Sequence, residues 1–134
     1  MRYTFNANKR DAVRKARSTR AIGLARGSIS GLMPFRGGEA VGFESTLERD
    51  FLIRLETDRK VARVTSQPVT IEYQGADERL LRYTPDYLVE YDPKPVWAPF
   101  IHPILVEVKP RLKLAKHLAE WRPRFRAAMR YCRA

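Results

Sequence analysis

Four residues of this 134-residue chain are of types that do chemistry and stand where such types are least expected: Glu48, Asp86, Glu107 and Lys109. Glu107 and Lys109 flank Val108 in the apolar run ILVEVK. On a strand, side chains two apart point to one face, so this pair would share a face. Ionised groups in such a strand are costly unless they pair or bind a cation. Taken alone, the pair also fits a strand-end salt bridge or a frayed, wetted end. Asp86 follows Pro85 and leads the apolar YLV, which puts it at a strand entrance, where proline is tolerated; a turn-forming Pro-Asp pair explains the same two residues locally. Glu48 lies three, four and seven residues before Phe51, Leu52 and Leu55, inside the apolar stripe of a helix expected over 45–58. Its local rival is a capping box, S-T-L-E, in which Ser45 is the N-cap and Glu48 reaches back to it. Together, three carboxylates and a lysine suit chemistry that needs an activated water and a means of holding developing negative charge. A divalent cation held by carboxylates supplies both.

The elements that must position these residues follow from periodicity. Residues 1–40 are rich in Arg, Ser and Gly without a sustained apolar period; 11–20 is expected to form a short basic helix, and RGSISGLMPFRGGEA reads as loop. Gly23, Gly27 and Gly31 are spaced by four, in a setting too polar for a membrane glycine motif. In STLERDFLIRLETD, Leu47, Phe51, Leu52 and Leu55 form one helical stripe. VARVTSQPVTIEYQG reads as extended, Gly75–Asp77 as a turn and RLLRYTPDYLVEYD as a second extended region, predicting a β-hairpin. After the proline-rich DPKPVWAPFIHP comes the short strand ILVEVK. The closing helix carries Phe125, Ala128, Met129 and Cys132 on one face, and Pro123 is expected to kink or restart it. The order of elements places the chain in the α/β (α+β) class, with a central sheet.

Composition bounds the partners. The length allows one domain with a real core, divided here into a basic N-terminal segment, 1–40, and the domain proper, 41–134. The net charge of +11 is unevenly spread: residues 1–36 carry +8, residues 111–134 carry +7, and residues 37–110 carry −4. Basic flanks suit a phosphate backbone and an acidic centre suits cations, although a solubilising charge or a ribosome-type binder would share the same total. No apolar run reaches the length of a membrane span and the N-terminus lacks the apolar segment of a signal peptide. A single cysteine, Cys132, excludes an internal disulfide and thiolate-rich zinc sites, so a cytoplasmic setting is expected.

Taken together, Glu48, Asp86 and Glu107-Val108-Lys109 follow the spacing E-x37-D-x20-E-x-K, which resembles the PD-(D/E)xK nuclease pattern. FESTLERDFL (43–52), TSQPVTIEY (65–73), RYTPDYLV (82–89), LVEVKP (105–110) and RGSISGLMPFRG (26–37) resemble the N-terminal catalytic domain of the TnsA family of transposon endonucleases, over roughly residues 20–132. The resemblance implies a restriction-endonuclease-like fold, a central mixed sheet flanked by helices. It also implies a further strand after the last helix, which this chain is expected to lack.

By that resemblance Glu48, Asp86, Glu107 and Lys109 are the catalytic set. Asp86 and Glu107 are the expected ligands of Mg2+, for which Mn2+ can substitute, with the backbone carbonyl of Val108 as a third. Glu48 would bind a second ion or a water on the first. Lys109 would orient the attacking water or neutralise the phosphate as a compact cation. Neither His102 nor His117 is required, and both are read as surface or packing residues. Phosphate contacts are expected from Arg14, Lys15, Arg17, Arg20, Arg26 and Arg36 in the N-terminal part, and from Arg111, Lys113, Arg122, Arg124 and Arg126 in the last helix. The implied activity is cutting of the 5′ strand of double-stranded DNA at transposon ends, beside a TnsB-like transposase and a TnsC-like ATPase regulator, in a bacterial or phage-encoded system. A stand-alone restriction, repair or phage nuclease and a non-catalytic DNA-binding protein on the same scaffold are the other readings; buried acids facing phosphates would serve the latter poorly.

Overall fold

The structure is a computed structural model that describes residues 2–4, 29–93 and 102–134. In chain order the described elements are β1 (Arg2–Thr4), β2 (Gly31–Pro34), β3 (Ala40–Phe43), α1 (Thr46–Thr57), β4 (Val61–Ser66), β5 (Ile71–Gln74), β6 (Leu80–Tyr83), β7 (Tyr87–Tyr91), β8 (Ile104–Val106) and α2 (Arg111–Arg133). β1, β8, β7 and β4 form a four-stranded sheet in that order, while β2–β3 and β5–β6 are separate hairpins. The α/β class expected from the sequence is the one adopted, with helices and a central sheet consistent with a restriction-endonuclease-like core.

One feature of that expectation is corrected. Every strand pairing among the described residues is antiparallel, so the central sheet is antiparallel and not mixed. β7 and β8 are antiparallel neighbours in the ladder, a pairing that needs no crossover connection.

Each extended region of the sequence divides in two. Gln67, with φ 46°, and the buried Pro68 separate β4 from β5. Thr84 and the buried Pro85 separate β6 from β7. Proline withdraws a donor from the ladder at each break, and the two halves part into different sheets: β4 pairs with β7, and β5 with β6. The hairpin turn at Gly75–Asp77 is as expected, with Gly75 N–H donating to the Arg79 carbonyl at 2.9 Å.

Residues 31–34, expected as loop, form β2 against β3. Gly31 makes the pairing possible, since a Cβ there would come within 2.9 Å of the Phe43 ring. β1 and β2 therefore bring parts of residues 1–40 into sheets shared with later residues, whereas the helix expected over 11–20 lies outside the described residues.

The sheet is covered on both faces. On one, Leu88 and Leu105 pack with Ile71, Tyr83 and the α2 residues Phe125, Ala127, Ala128 and Cys132. On the other, Tyr87, Val89 and Val106 pack with Val61, Val64, Leu52 of α1, and Phe35, Val41 and Phe43 of the β2–β3 hairpin. Truncating one of the fully buried leucines to alanine would cost roughly 2–5 kcal/mol.

Two details of the helical faces differ from the sequence expectation. In α1, Leu47 is 42% exposed while Glu48 and Leu52 are buried, because the buried stripe is set by the facing hairpin and not by the apolar residues alone. In α2, Ala127 takes the buried place expected for Met129, which is 40% exposed. α2 also continues through Pro123 as one helix. The carbonyl that loses its partner there belongs to Ala119, an exposed residue, and water can serve it. No helix among the described residues is long and apolar enough to cross a membrane.

Candidate active site

Glu48 is positioned by the start of α1. Ser45 is the N-cap, with extended backbone, and its Oγ accepts from Glu48 N–H at 3.1 Å. The Glu48 carboxylate closes the box from the other side: Ser45 Oγ donates to Oε1 at 3.2 Å and Glu44 N–H donates to Oε2 at 2.8 Å. The capping box and the inward-facing acid are thus one arrangement, since Glu48 is also buried. Tyr87, the first residue of β7, reaches across; its hydroxyl lies 2.8 Å from the Gly42 carbonyl and 3.2 Å from Glu48 Oε2. Burial and the Glu48 charge raise the Tyr87 pKa above the usual phenol value, so the hydroxyl stays protonated and donates.

Arg36 fixes the far end of α1. Its guanidinium donates to the carbonyls of Leu55 and Glu56, each at 3.3 Å, and of Asp58 and Val61. These include carbonyls at the helix C-terminus, which a cation stabilises. The side chain assigned to phosphate from the sequence therefore has its donors engaged within the fold.

Asp86 and Glu107 meet because β7 and β8 are neighbours. Tyr87 is opposite Val106 in the ladder, so Asp86, just before β7, lies beside Glu107, just after β8. β8 is shorter than expected, ending at Val106 and not at Lys109. The reason is local: Val108 N–H donates to Asp86 Oδ2 at 2.7 Å instead of to a strand partner. Glu107 and Lys109 meet all the same, with Lys109 Nζ 3.1 Å from Glu107 Oε1 and 3.4 Å from Asp86 Oδ2.

Electrostatics single out Asp86. Burial, then the neighbouring Glu107 charge, push its carboxyl from the ordinary 3.8 up to about 7, against the lowering effects of Lys109 and of the Val108 hydrogen bond; Glu48 adds to the rise. For Lys109, burial favours the neutral form, but the Asp86 and Glu107 carboxylates outweigh it and hold the pKa above the usual lysine value. Lys109 is accordingly a fixed cation at neutral pH and no base.

Glu107 has further partners that the sequence did not reveal. Tyr83, the last residue of β6, donates its hydroxyl to Oε2 at 2.8 Å. Arg124, on α2, brings a guanidinium nitrogen to 3.5 Å from Oε1. That guanidinium lies over the Trp121 ring at 4.4 Å, the Phe125 ring at 5.3 Å and the Tyr83 ring at 5.4 Å. Arg124 thus stands in the carboxylate site, half-buried, while Arg111, Lys113, Arg122 and Arg126 of the same helix are exposed. Arg14, Lys15, Arg17, Arg20 and Arg26 lie outside the described residues. His117 stacks on Trp121 at 5.1 Å and pairs with Glu120 at 3.0 Å, away from the acids. Nothing in the spacing marked Tyr83 or Tyr87, whose only trace was that both fall within three residues of Asp86, and Arg124 was singled out as a phosphate contact and not as a partner of Glu107.

Among the described residues no three Asp, Glu, His or Cys side chains converge closely enough to chelate a single ion. The donor set that does exist is a pair, Asp86 and Glu107, bridged by Lys109. A buried and a half-buried carboxylate with one lysine between them fit a hard, largely hydrated cation, which needs few protein oxygens. The raised pKa of Asp86 comes first from burial and second from the Glu107 charge beside it.

A search of curated proteins returns no match to this chain. The family described as TnsA-like endonuclease N terminal matches residues 58–134, which is more than half of the chain and includes Asp86, Glu107, Lys109, Tyr83 and Arg124 but not Glu48. By this match, and in keeping with its fold, the chain belongs to the TnsA-like endonuclease N-terminal family.

Proposed function

We propose that the chain is a metal-dependent DNA endonuclease that cuts the 5′ strand at transposon ends, as the TnsA-like subunit of a heteromeric transposase. The observation that carries this reading is the pairing of half-buried Asp86 with buried Glu107, with Lys109 Nζ within 3.4 Å of both. Such a cluster is unfavourable for stability alone, because like charges are brought together out of water.

Asp86, Glu107 and the Val108 carbonyl would hold Mg2+ or Mn2+. When bound, the ion supplies Lewis-acid polarisation of the phosphate and a water acidic enough to ionise near neutral pH. Lys109 keeps its proton, so its part is to orient the attacking water or offset the phosphate charge as a compact cation. Glu48, held by Ser45, Glu44 N–H and Tyr87, stands back from the pair and would receive a water or a second ion. Exposed Arg111, Lys113, Arg122 and Arg126 would face the phosphate backbone, which positions DNA without reading sequence. The 3′ strand and the recognition of the ends fall to a TnsB-like transposase, under a TnsC-like ATPase.

The test is cleavage of a supercoiled plasmid bearing transposon ends, in Mg2+, with and without the co-expressed partner transposase. A 5′-strand cut at the ends, dependent on the partner and lost in Asp86→Ala, is expected. Cleavage without a partner and away from the ends would favour a stand-alone nuclease. Cleavage undiminished in Asp86→Ala would refute the site.

A further inference from the structure

We propose that Tyr83 is a positioning residue for the cation site: its hydroxyl holds the Glu107 carboxylate in the orientation that faces Asp86. This rests on the metal reading above and adds a part to it. Glu107 follows the end of β8, and its side chain meets partners from β6, from α2 and from the segment after β8. Those partners divide by oxygen. Oε1 meets the two cations, Lys109 at 3.1 Å and Arg124 at 3.5 Å, while Oε2 accepts from the Tyr83 hydroxyl at 2.8 Å.

Cations attract a carboxylate from any side; a neutral donor with a fixed direction sets its rotation. Tyr83 is suited to that task because its own ring is immobilised. It is buried among Ile71, Leu88, Leu105 and Phe125, meets the Phe125 ring edge-on at 6.2 Å, and carries the Arg124 guanidinium over its face at 5.4 Å. The hydroxyl therefore projects from a packed core at the end of β6, three residues before Asp86. A partner of this kind, one step behind a metal ligand, is worth a roughly 10–100-fold change in metal affinity or activity when removed.

The experiment is a calorimetric titration of the full chain with Mn2+ alone, comparing wild type, Asp86→Ala, Tyr83→Phe and Ile71→Val. Tyr83→Phe keeps the ring and removes only the hydroxyl; Ile71→Val loosens the same cluster without touching Glu107. The expected result is Mn2+ binding that Asp86→Ala abolishes, that Tyr83→Phe weakens by roughly 10-fold, and that Ile71→Val leaves unchanged. Asp86-dependent binding with the same Kd in wild type and Tyr83→Phe overturns the role of Tyr83 and leaves the metal reading standing. Equal weakening in Ile71→Val also overturns it, since the effect is then one of packing. Wild-type binding that survives Asp86→Ala removes the metal reading and this inference together.

Discussion

Replacing Asp86 by asparagine separates the electrostatic character of the site from its shape. Burial and Glu107 push the Asp86 carboxyl from 3.8 to about 7 in the metal-free protein. A group whose pKa is raised by folding contributes stability that is fully present below its unfolded value and lost as pH rises through the folded one. Wild-type protein without metal should therefore lose stability between about pH 4 and pH 8. At 1.36 kcal/mol per pKa unit, the roughly three-unit rise sets a ceiling of about 4 kcal/mol. Asparagine keeps an oxygen to accept from Val108 N–H and removes the charge, but gives up the ion pair with Lys109 and leaves that lysine with Glu107 alone. The net gain at pH 8 should then be about 1–2 kcal/mol, or roughly 5 °C in Tm for a domain of this size. Thermal unfolding in chelator, followed by circular dichroism at pH 4.5, 6 and 8, reads it directly. The two proteins should converge at the acid end and separate, with Asp86→Asn the more stable, as pH rises. Saturating Mg2+ should reverse the order at pH 8, because only wild type has the ligand that ties the ion to the folded state. An Asp86→Asn protein less stable than wild type at pH 8 in chelator, or a difference that does not change with pH, would refute the reasoning.

Lys109→Ala should remove cleavage and spare Mn2+ binding, and Lys109→Arg should restore little, because a planar guanidinium cannot place a point charge between the carboxylates; full activity in the arginine variant would reduce Lys109 to a general electrostatic role. Replacing exposed Arg122 and Arg126 with glutamine should lower DNA affinity about equally for all sequences and flatten its salt dependence by ~0.9 for each phosphate no longer neutralised. Arg124→Gln should change that slope much less, since Arg124 faces Glu107; filter binding over a salt series distinguishes the two. Arg36→Ala should destabilise the fold by about 0.5–1.5 kcal/mol, by replacing its bonds to carbonyls at the end of α1 with water, measurable as a lower denaturation midpoint with an unchanged DNA salt slope.

The parts of this site that were legible in the sequence are those that break a local rule. Glu48 interrupts an apolar stripe, Asp86 follows a proline at the head of an apolar strand, and Glu107 and Lys109 flank one valine. Such anomalies survive without knowledge of the fold, and the structure brings Asp86, Glu107 and Lys109 together, with Glu48 near enough for its charge to act on Asp86. The helix at 46–57 and its cap were equally plain, because Ser45 and Glu48 satisfy each other locally. What was hidden depends on tertiary pairing. Tyr83 and Tyr87 look like ordinary strand aromatics until β6 and β7 are known to part at Pro85, sending one hydroxyl to Glu107 and the other to Glu48. Arg124 looks like one more charge on a basic helix until Trp121 and Phe125 are seen to hold it inward. β2 was missed because it is only four residues long and begins and ends on Gly31 and Pro34, both of which read as loop.

The ladder between β7 and β8 has a consequence for how the chain can change over evolutionary time. Tyr87 opposes Val106, Leu88 opposes Leu105 and Val89 opposes Ile104, with Leu88 and Leu105 feeding one core and Tyr87, Val89 and Val106 the other. A slip of one residue in either strand would exchange the two faces and drive each side chain into the wrong core. The separation of Asp86 from Glu107 is therefore copied from the hydrophobic register, much as the teeth of a zip fix the position of its tab. Selection for a well-packed interior is thereby enough to preserve the geometry of the two acids, even in a lineage where cutting itself is no longer needed.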